Sequence, residues 1–128
     1  MKAQQPNVHG RESIPLGSLT AALAQRVMGW GVGPDRFLTG SRGWMSRWRF
    51  QPTERIADAL RLLERLAPQE YAMGAADGGG FWATVRVAST STEAHESSQA
   101  RALTFAIARA IGLDPEGCQP PKPGVERR

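Results

Sequence analysis

The sequence is poor in the residues that most often build covalent or metal-bound sites. Its 128 residues include one cysteine, Cys118, and two histidines, His9 and His95. A single cysteine cannot form an internal disulfide, and these three residues do not have the spacing of zinc ligands. We therefore expect no internal disulfide, no metal site and no bound cofactor.

Long hydrophobic runs are missing as well. No stretch approaches the ~18 apolar residues that a membrane span requires, and the polar opening, residues 1–10, lacks the apolar segment of a secretory signal. The sequence predicts a cytoplasmic protein that does not partner with a membrane.

Lysine is almost absent, since only Lys2 and Lys122 occur among the 16 basic residues, which leaves fourteen arginines. With 12 acidic residues the net charge is +4, as in many nucleic-acid-binding proteins. An arginine-rich composition with abundant alanine and glycine is also typical of a GC-rich coding genome. The basic charge alone therefore does not identify nucleic acid as the partner.

The length fits one ordinary domain, and the 41% hydrophobic and 22% charged residues are close to globular averages. Residues 1–17 mix polar, proline and glycine residues without periodicity, and residues 114–128 contain four prolines. Neither end can bury enough apolar surface to fold. We predict flexible tails at 1–17 and 114–128 around a single domain at 18–113.

Three segments place apolar residues at helical spacing. The first helix is predicted from Ser18 to Gly29, the second from Thr53, as its cap, to the residue before Pro68, and the third over 98–111 with Gly112 as terminator. The second helix is predicted to bury an apolar stripe formed by Ile56, Ala59, Leu60, Leu63 and Leu66.

Between the helices the pattern changes to period two. Trp44, Ser46, Trp48 and Phe50 alternate with Met45, Arg47 and Arg49, which predicts a strand with a tryptophan-bearing covered face and an arginine-bearing solvated face. Residues 36–39 are predicted to pair with this strand, and 71–75 with 81–88 across the glycine-rich turn 77–80. The predicted class is α+β, with three helices covering an antiparallel sheet. The predicted layering is an α-β-α sandwich in the order helix-strand-strand-helix-strand-strand-helix.

Three segments also carry a family resemblance: Val27-Met28-Gly29-Trp30; residues 50–59, which read FQPTERIADA; and residues 98–103, which read SQARAL and lead into Ala106. Together, over about residues 19–112, they resemble the phage ABA sandwich domain family of small prophage-encoded proteins. The resemblance implies a layered α-β-α fold and a phage origin. It carries no catalytic residues.

Candidate catalytic residues are few. His9 falls in a predicted tail and His95 in a predicted polar loop, so neither is expected to activate a nucleophile. Glu54 and Asp58 lie four residues apart near the start of the second helix, where carboxylates interact favourably with the helix dipole. We predict that the protein is not an enzyme, and we keep a small hydrolase that uses these two carboxylates as a minor alternative.

The arginines Arg36, Arg42, Arg47 and Arg49 are interleaved with tryptophans, which is a combination suited to phosphates and unpaired bases. The predicted strand places the two residue types on opposite faces, which counts against one shared ligand. We therefore predict a non-enzymatic, prophage-derived accessory protein that binds an unidentified protein partner or self-associates. The alternative is a nucleic-acid-binding protein that uses these four arginines within residues 36–50.

Overall fold

The computed structural model describes residues 12–40 and 43–115. The helices are α1 (Leu16–Leu23), which continues into a π-helical turn (Ala24–Met28), then α2 (Ile56–Leu66) and α3 (Gln99–Ala110), with a 3-10 helix (Arg47–Arg49) before α2. The strands are β1 (Glu12–Ile14), β2 (Gly31–Val32), β3 (Arg36–Leu38), β4 (Trp44–Ser46), β5 (Glu70–Ala75), β6 (Phe81–Val87), β7 (Thr90–Glu96) and β8 (Leu113–Pro115).

The strands form two antiparallel sheets and one parallel pair. The first sheet has the order β2-β3-β4 and the second β5-β6-β7, while β1 pairs with β8. The α+β class with three helices is confirmed. The predicted order is not, because three strands rather than two lie between successive helices, and they belong to separate sheets.

The predicted helix ends are found at the end of the first helix and at both ends of α3. The start of the first helix was predicted wrongly, since α1 begins at Leu16 instead of Ser18 and Pro15 before it makes no side-chain cap bond. Gly29 is left-handed, with φ +75°, and ends the π-helical turn, and Gly112 is left-handed just beyond α3. The Ser98 hydroxyl accepts a hydrogen bond from the Arg101 N–H and caps α3. Thr53, however, is not a cap: α2 begins three residues later, and its preceding residue Arg55 makes no side-chain cap bond.

The helix α3 is the centre of the core. One side packs on β6 and β7, and α2 packs against it from another side. Its side chains Leu103, Phe105 and Ile107 are fully buried. Two buried hydroxyls tie it to its neighbours, because Thr92 of β7 donates to the Ala106 carbonyl at 2.8 Å and Thr104 donates to the Pro52 carbonyl at 2.8 Å.

The strand β7 replaces the polar loop predicted around His95. Its inward positions are Thr92, Ala94 and Glu96, which are buried, and its outward positions are exposed or half-buried. The burial alternates with period two as in any half-covered strand. The sequence prediction was wrong because small and polar residues occupy the covered positions, and because the tight turn before β7 uses Ala88 at φ +55° rather than glycine.

The apolar stripe predicted for α2 is also partly wrong. Ala59, Leu62 and Leu63 are buried, whereas Ile56 and Leu60 remain more than a third exposed. Leu62, which lies outside the predicted stripe, is buried instead, so the buried side of α2 is shifted toward Leu62.

At its ends the described fold reaches slightly beyond the predicted domain of 18–113, since β1 pairs with β8 in parallel register from Glu12 opposite Leu113 to Ile14 opposite Pro115. The rest of both predicted tails, 1–11 and 116–128, lies outside the described residues. Among the helices that the structure describes, none is long and apolar enough to cross a membrane.

Candidate functional site

The first sheet is anchored by a cluster of three buried aromatic rings. Trp30, Phe37 and Phe50 have ring centroids 5.0–6.0 Å apart in tilted and edge-to-face arrangements. Such pairs add stability beyond their buried area. The cluster fixes which face of β3 and β4 points inward, and it removes Trp30 from any external binding surface.

The residues of β4 that face the core are the opposite set from the predicted one. In the register of β3 with β4, Phe37 lies opposite Met45 on the inner face, while Leu38 lies opposite Trp44 on the outer face. Trp44 is accordingly 59% exposed. The prediction of a tryptophan-bearing buried face was wrong because the strand ends at Ser46, so the alternation that includes buried Phe50 does not extend through one continuous strand.

Arg36 shares the outer face with Trp44. It lies opposite Ser46 in the register, and its guanidinium carbon is 4.8 Å from the centre of the Trp44 ring. Its Nε also donates to Asp35 at 3.2 Å. The guanidinium is thus held over the indole, which is a cation–π arrangement.

The 3-10 helix after β4 presents a second exposed indole. Trp48 is 63% exposed, and the Arg49 guanidinium lies 5.9 Å from the centre of its ring. Trp48 follows Trp44 by four positions, so their Cα atoms are at most ~14 Å apart. We call the set Arg36, Leu38, Trp44, Trp48 and Arg49 the tryptophan–arginine surface.

Arg47 has a different place. It is half-buried, donates to the Gly33 carbonyl at 3.3 Å and packs 5.5 Å from the centre of the Phe37 ring. Its backbone N–H also donates to the Asp35 carbonyl. Arg47 therefore fastens the 3-10 helix to the turn between β2 and β3. Arg42, the fourth arginine of the predicted site, lies outside the described residues.

The carboxylates considered for catalysis are separated by their environments. Asp58 is buried, and its Oδ2 accepts a hydrogen bond from the Gln51 backbone N–H at 3.0 Å, with the Arg61 guanidinium 4.0 Å from Oδ1. Glu54 is exposed. Asp58 thus stabilises the segment that leads into α2, and its role in the structure is to hold that segment.

His95 lies on the outer face of the second sheet. Its Nε2 is 2.6 Å from Glu93 Oε2, and both side chains are accessible to solvent. Over residues 12–40 and 43–115, no three histidine, cysteine, aspartate or glutamate side chains come together in a group that could hold a metal ion.

Comparison with known proteins gives a family and a fold. The family model described as the phage ABA sandwich domain matches residues 21–110. The crystal structure of a phage protein from Bacillus cereus ATCC 14579 superposes with a TM-score of 0.65 at 12% identity, and the match covers 89% of this chain and 97% of that one. No curated protein matches the sequence. At this identity the structural likeness shows the fold alone.

Proposed function

Since the chain belongs to the phage ABA sandwich domain family, we propose that it is a non-enzymatic, prophage-derived accessory protein that binds a macromolecule in the cytoplasm. The binding site in this proposal is the tryptophan–arginine surface. The observation that carries it is the exposure of Trp44 and Trp48, both more than half accessible, each with an arginine over its ring.

Exposed indoles of this kind are typical of interaction surfaces. Tryptophan and arginine are enriched at the energetic centres of interfaces, because an indole buries a large rigid area and a guanidinium makes several directed contacts. Leu38, opposite Trp44, is 53% exposed and extends the apolar patch. A binding partner would remove this apolar surface from water.

Single-stranded nucleic acid is the partner that this geometry favours. The objection raised by the predicted strand was that arginines and tryptophans would face opposite ways, yet Arg36 and Trp44 lie on one face. Indoles stack on unpaired bases while guanidinium groups contact phosphates. Residues 31–50 also carry four arginines against one aspartate, so the segment is complementary in charge to a polyanion.

A protein partner is the second candidate, and Leu38 is the observation that favours it. An exposed leucine beside an exposed tryptophan gives an apolar centre that nucleic acid does not need, whereas the cores of protein interfaces are apolar with aromatic anchors.

Fluorescence anisotropy at low and moderate salt, with single-stranded and duplex DNA and RNA, tests the nucleic-acid proposal. We expect the native chain to prefer single strands. Replacing both Arg36 and Arg49 by glutamine should weaken binding and lower the salt slope by roughly 0.7 for each lost phosphate contact with a single strand. Arg55→Gln with Arg65→Gln removes the same charge from exposed positions outside the surface and is the matched control.

Trp44→Ala with Trp48→Ala should abolish the preference for single strands, because the stacking platforms are removed. Equal weakening by the two arginine pairs would show that only net charge matters and would contradict the proposed site. If no nucleic acid binds even at low salt, the nucleic-acid partner is wrong and the protein partner is the better candidate.

A further inference from the structure

The two outer strands of the second sheet, β5 and β7, differ in how well their free edges are protected against pairing with a further strand. At β7 the Arg109 side chain donates a hydrogen bond to the outward-facing carbonyl of Glu93. That strand also carries the ionisable side chains Glu93, His95 and Glu96. Charges and side-chain contacts of this kind hinder further strands from adding to an edge.

The free edge of β5 lacks such protection. Ala76 donates its N–H to the Gly80 carbonyl at 3.0 Å. Because hydrogen-bonded pairs alternate along antiparallel strands, the backbone groups of Glu70, Ala72 and Gly74 face β6. Those of Tyr71, Met73 and Ala75 therefore point to the free edge, where no strand of the described chain pairs with them.

The sequence of β5 lacks the residues that usually protect an edge. It reads Glu-Tyr-Ala-Met-Gly-Ala, with no proline or lysine and a single charge, on Glu70. That charge is already paired, since Glu70 Oε2 lies 3.1 Å from Arg86 on β6. Exposed edges without protection tend to pair with another strand.

An open apolar groove accompanies this edge. The helix α3 covers β6 and β7 much more than β5, and a groove remains between α2 and the start of β5, lined by Leu60, Arg61, Pro68 and Tyr71 among others. Tyr71 is 54% exposed and Leu60 is 40% exposed. The edge of β5 thus offers a partner both unpaired backbone groups and exposed apolar surface.

We propose that β5 pairs antiparallel with β5 of a second copy of the chain, about a two-fold axis at Met73, so that two three-stranded sheets become one six-stranded sheet. This register uses the outward backbone groups of Tyr71, Met73 and Ala75 on both copies, whereas shifted registers leave some unpaired. Such an interface is self-complementary, as two-fold symmetry requires.

The side chains favour a second copy as the occupant. In this register the large Tyr71 lies opposite the small Ala75 on the inner face, and the two Met73 side chains meet at the two-fold axis. Glu70 lies opposite Ala76, so no two like charges face each other across the pair. The interface is separate from the tryptophan–arginine surface, so this inference does not depend on the proposed function.

The mass in solution tests the pairing, and proline substitutions locate it. We expect light scattering of the full chain to give twice the 13.9 kDa of one chain. Ala75→Pro removes only an outward N–H, which an edge strand tolerates, and should reduce the mass to one chain. Ser91→Pro removes an outward N–H from β7 and is the matched control, which should remain a dimer; circular dichroism checks that both variants fold.

A cysteine cross-link gives a second, independent readout. Hydrogen-bonded residues opposite each other have Cα atoms about 5.5 Å apart, which suits a disulfide. With Cys118 replaced by serine, Met73→Cys should form a covalent dimer on mild oxidation, whereas Ser91→Cys should not. A one-chain mass for the native protein, a dimeric Ala75→Pro variant or equal cross-linking at the two positions would each overturn the proposal.

Discussion

A single buried hydroxyl joins α3 to the segment that leads into α2. Thr104 is fully buried and donates to the Pro52 carbonyl, which accepts that bond away from bulk water. Thr104→Val keeps the size but leaves the carbonyl without this donor, so we expect a loss of about 1–3 kcal/mol in unfolding free energy. Urea denaturation measures it. The exposed Thr90→Val is the control, expected to change stability by less than ~0.5 kcal/mol; equal losses would contradict the assigned role.

Arg47 and Arg49, predicted together as members of a solvated face, separate into different roles. Arg47 bonds to the Gly33 carbonyl and packs on Phe37, whereas Arg49 is exposed beside Trp48. Arg47→Ala should therefore destabilise the chain by about 1–2 kcal/mol. Arg49→Ala should change it by less than ~0.5 kcal/mol. Thermal melts compare the two, and an unchanged melting temperature for Arg47→Ala would show that its bond contributes nothing net.

At the scale of elements, α3 was predictable because its signals agree. Ser98 is the cap, Gly112 follows the end, and apolar residues fall on every face of a helix that turns out to be buried on nearly all sides. The α2 stripe was only partly right, since a helical pattern shows which residues share a face but not which neighbour that face meets. Leu62, outside the predicted stripe, is fully buried, whereas Ile56 and Leu60 within it are partly exposed.

The strand β4 shows the corresponding limit for the candidate site. Period two is correct over Trp44–Ser46, but the pattern of Trp44, Trp48 and Phe50 predicts one continuous strand, and the 3-10 helix at Arg47–Arg49 interrupts it. A break of this kind reverses which residues face outward. The choice depends on Phe37 of β3, which packs on Trp30 and Phe50 and lies outside the alternating pattern of residues 44–50.

The burial of α3 predicts that substitutions on this helix strongly lower the stability of the fold. Ile107 is fully buried, so Ile107→Asp would place a carboxylate among apolar side chains and should cost several kcal/mol. Ile107→Val, expected to cost about 0.5–1.5 kcal/mol, remains measurable if the aspartate variant does not fold. Thermal unfolding is the measurement. Leu60→Asp on the exposed side of α2 is the control, and equal sensitivity at the two sites would contradict the central place of α3.

For the whole molecule, the pair of β1 with β8 lies largely outside the predicted domain of 18–113. Cleavage requires local unfolding, so a protease should spare backbone that is held in a strand pair. We expect limited digestion with proteinase K, which cuts after many residue types, followed by mass spectrometry, to yield a fragment that retains Ser13 and Asp114 together. Early loss of residues 12–15, with 18–113 preserved, would instead match the narrower predicted boundaries.

The parallel register of β1 and β8 also decides how the fold responds to tension. Glu12 is at the start of one strand and Pro115 at the end of its neighbour, and both strands run in the same direction. Pulling these two points apart shears the strands along each other. All hydrogen bonds between them then carry the load at the same time instead of breaking one after another. We expect the pair of β1 and β8 to carry the load first when the chain is held at these two points. Ile14→Pro, which cannot donate a backbone hydrogen bond at that position, should therefore lower the rupture force measured with optical tweezers.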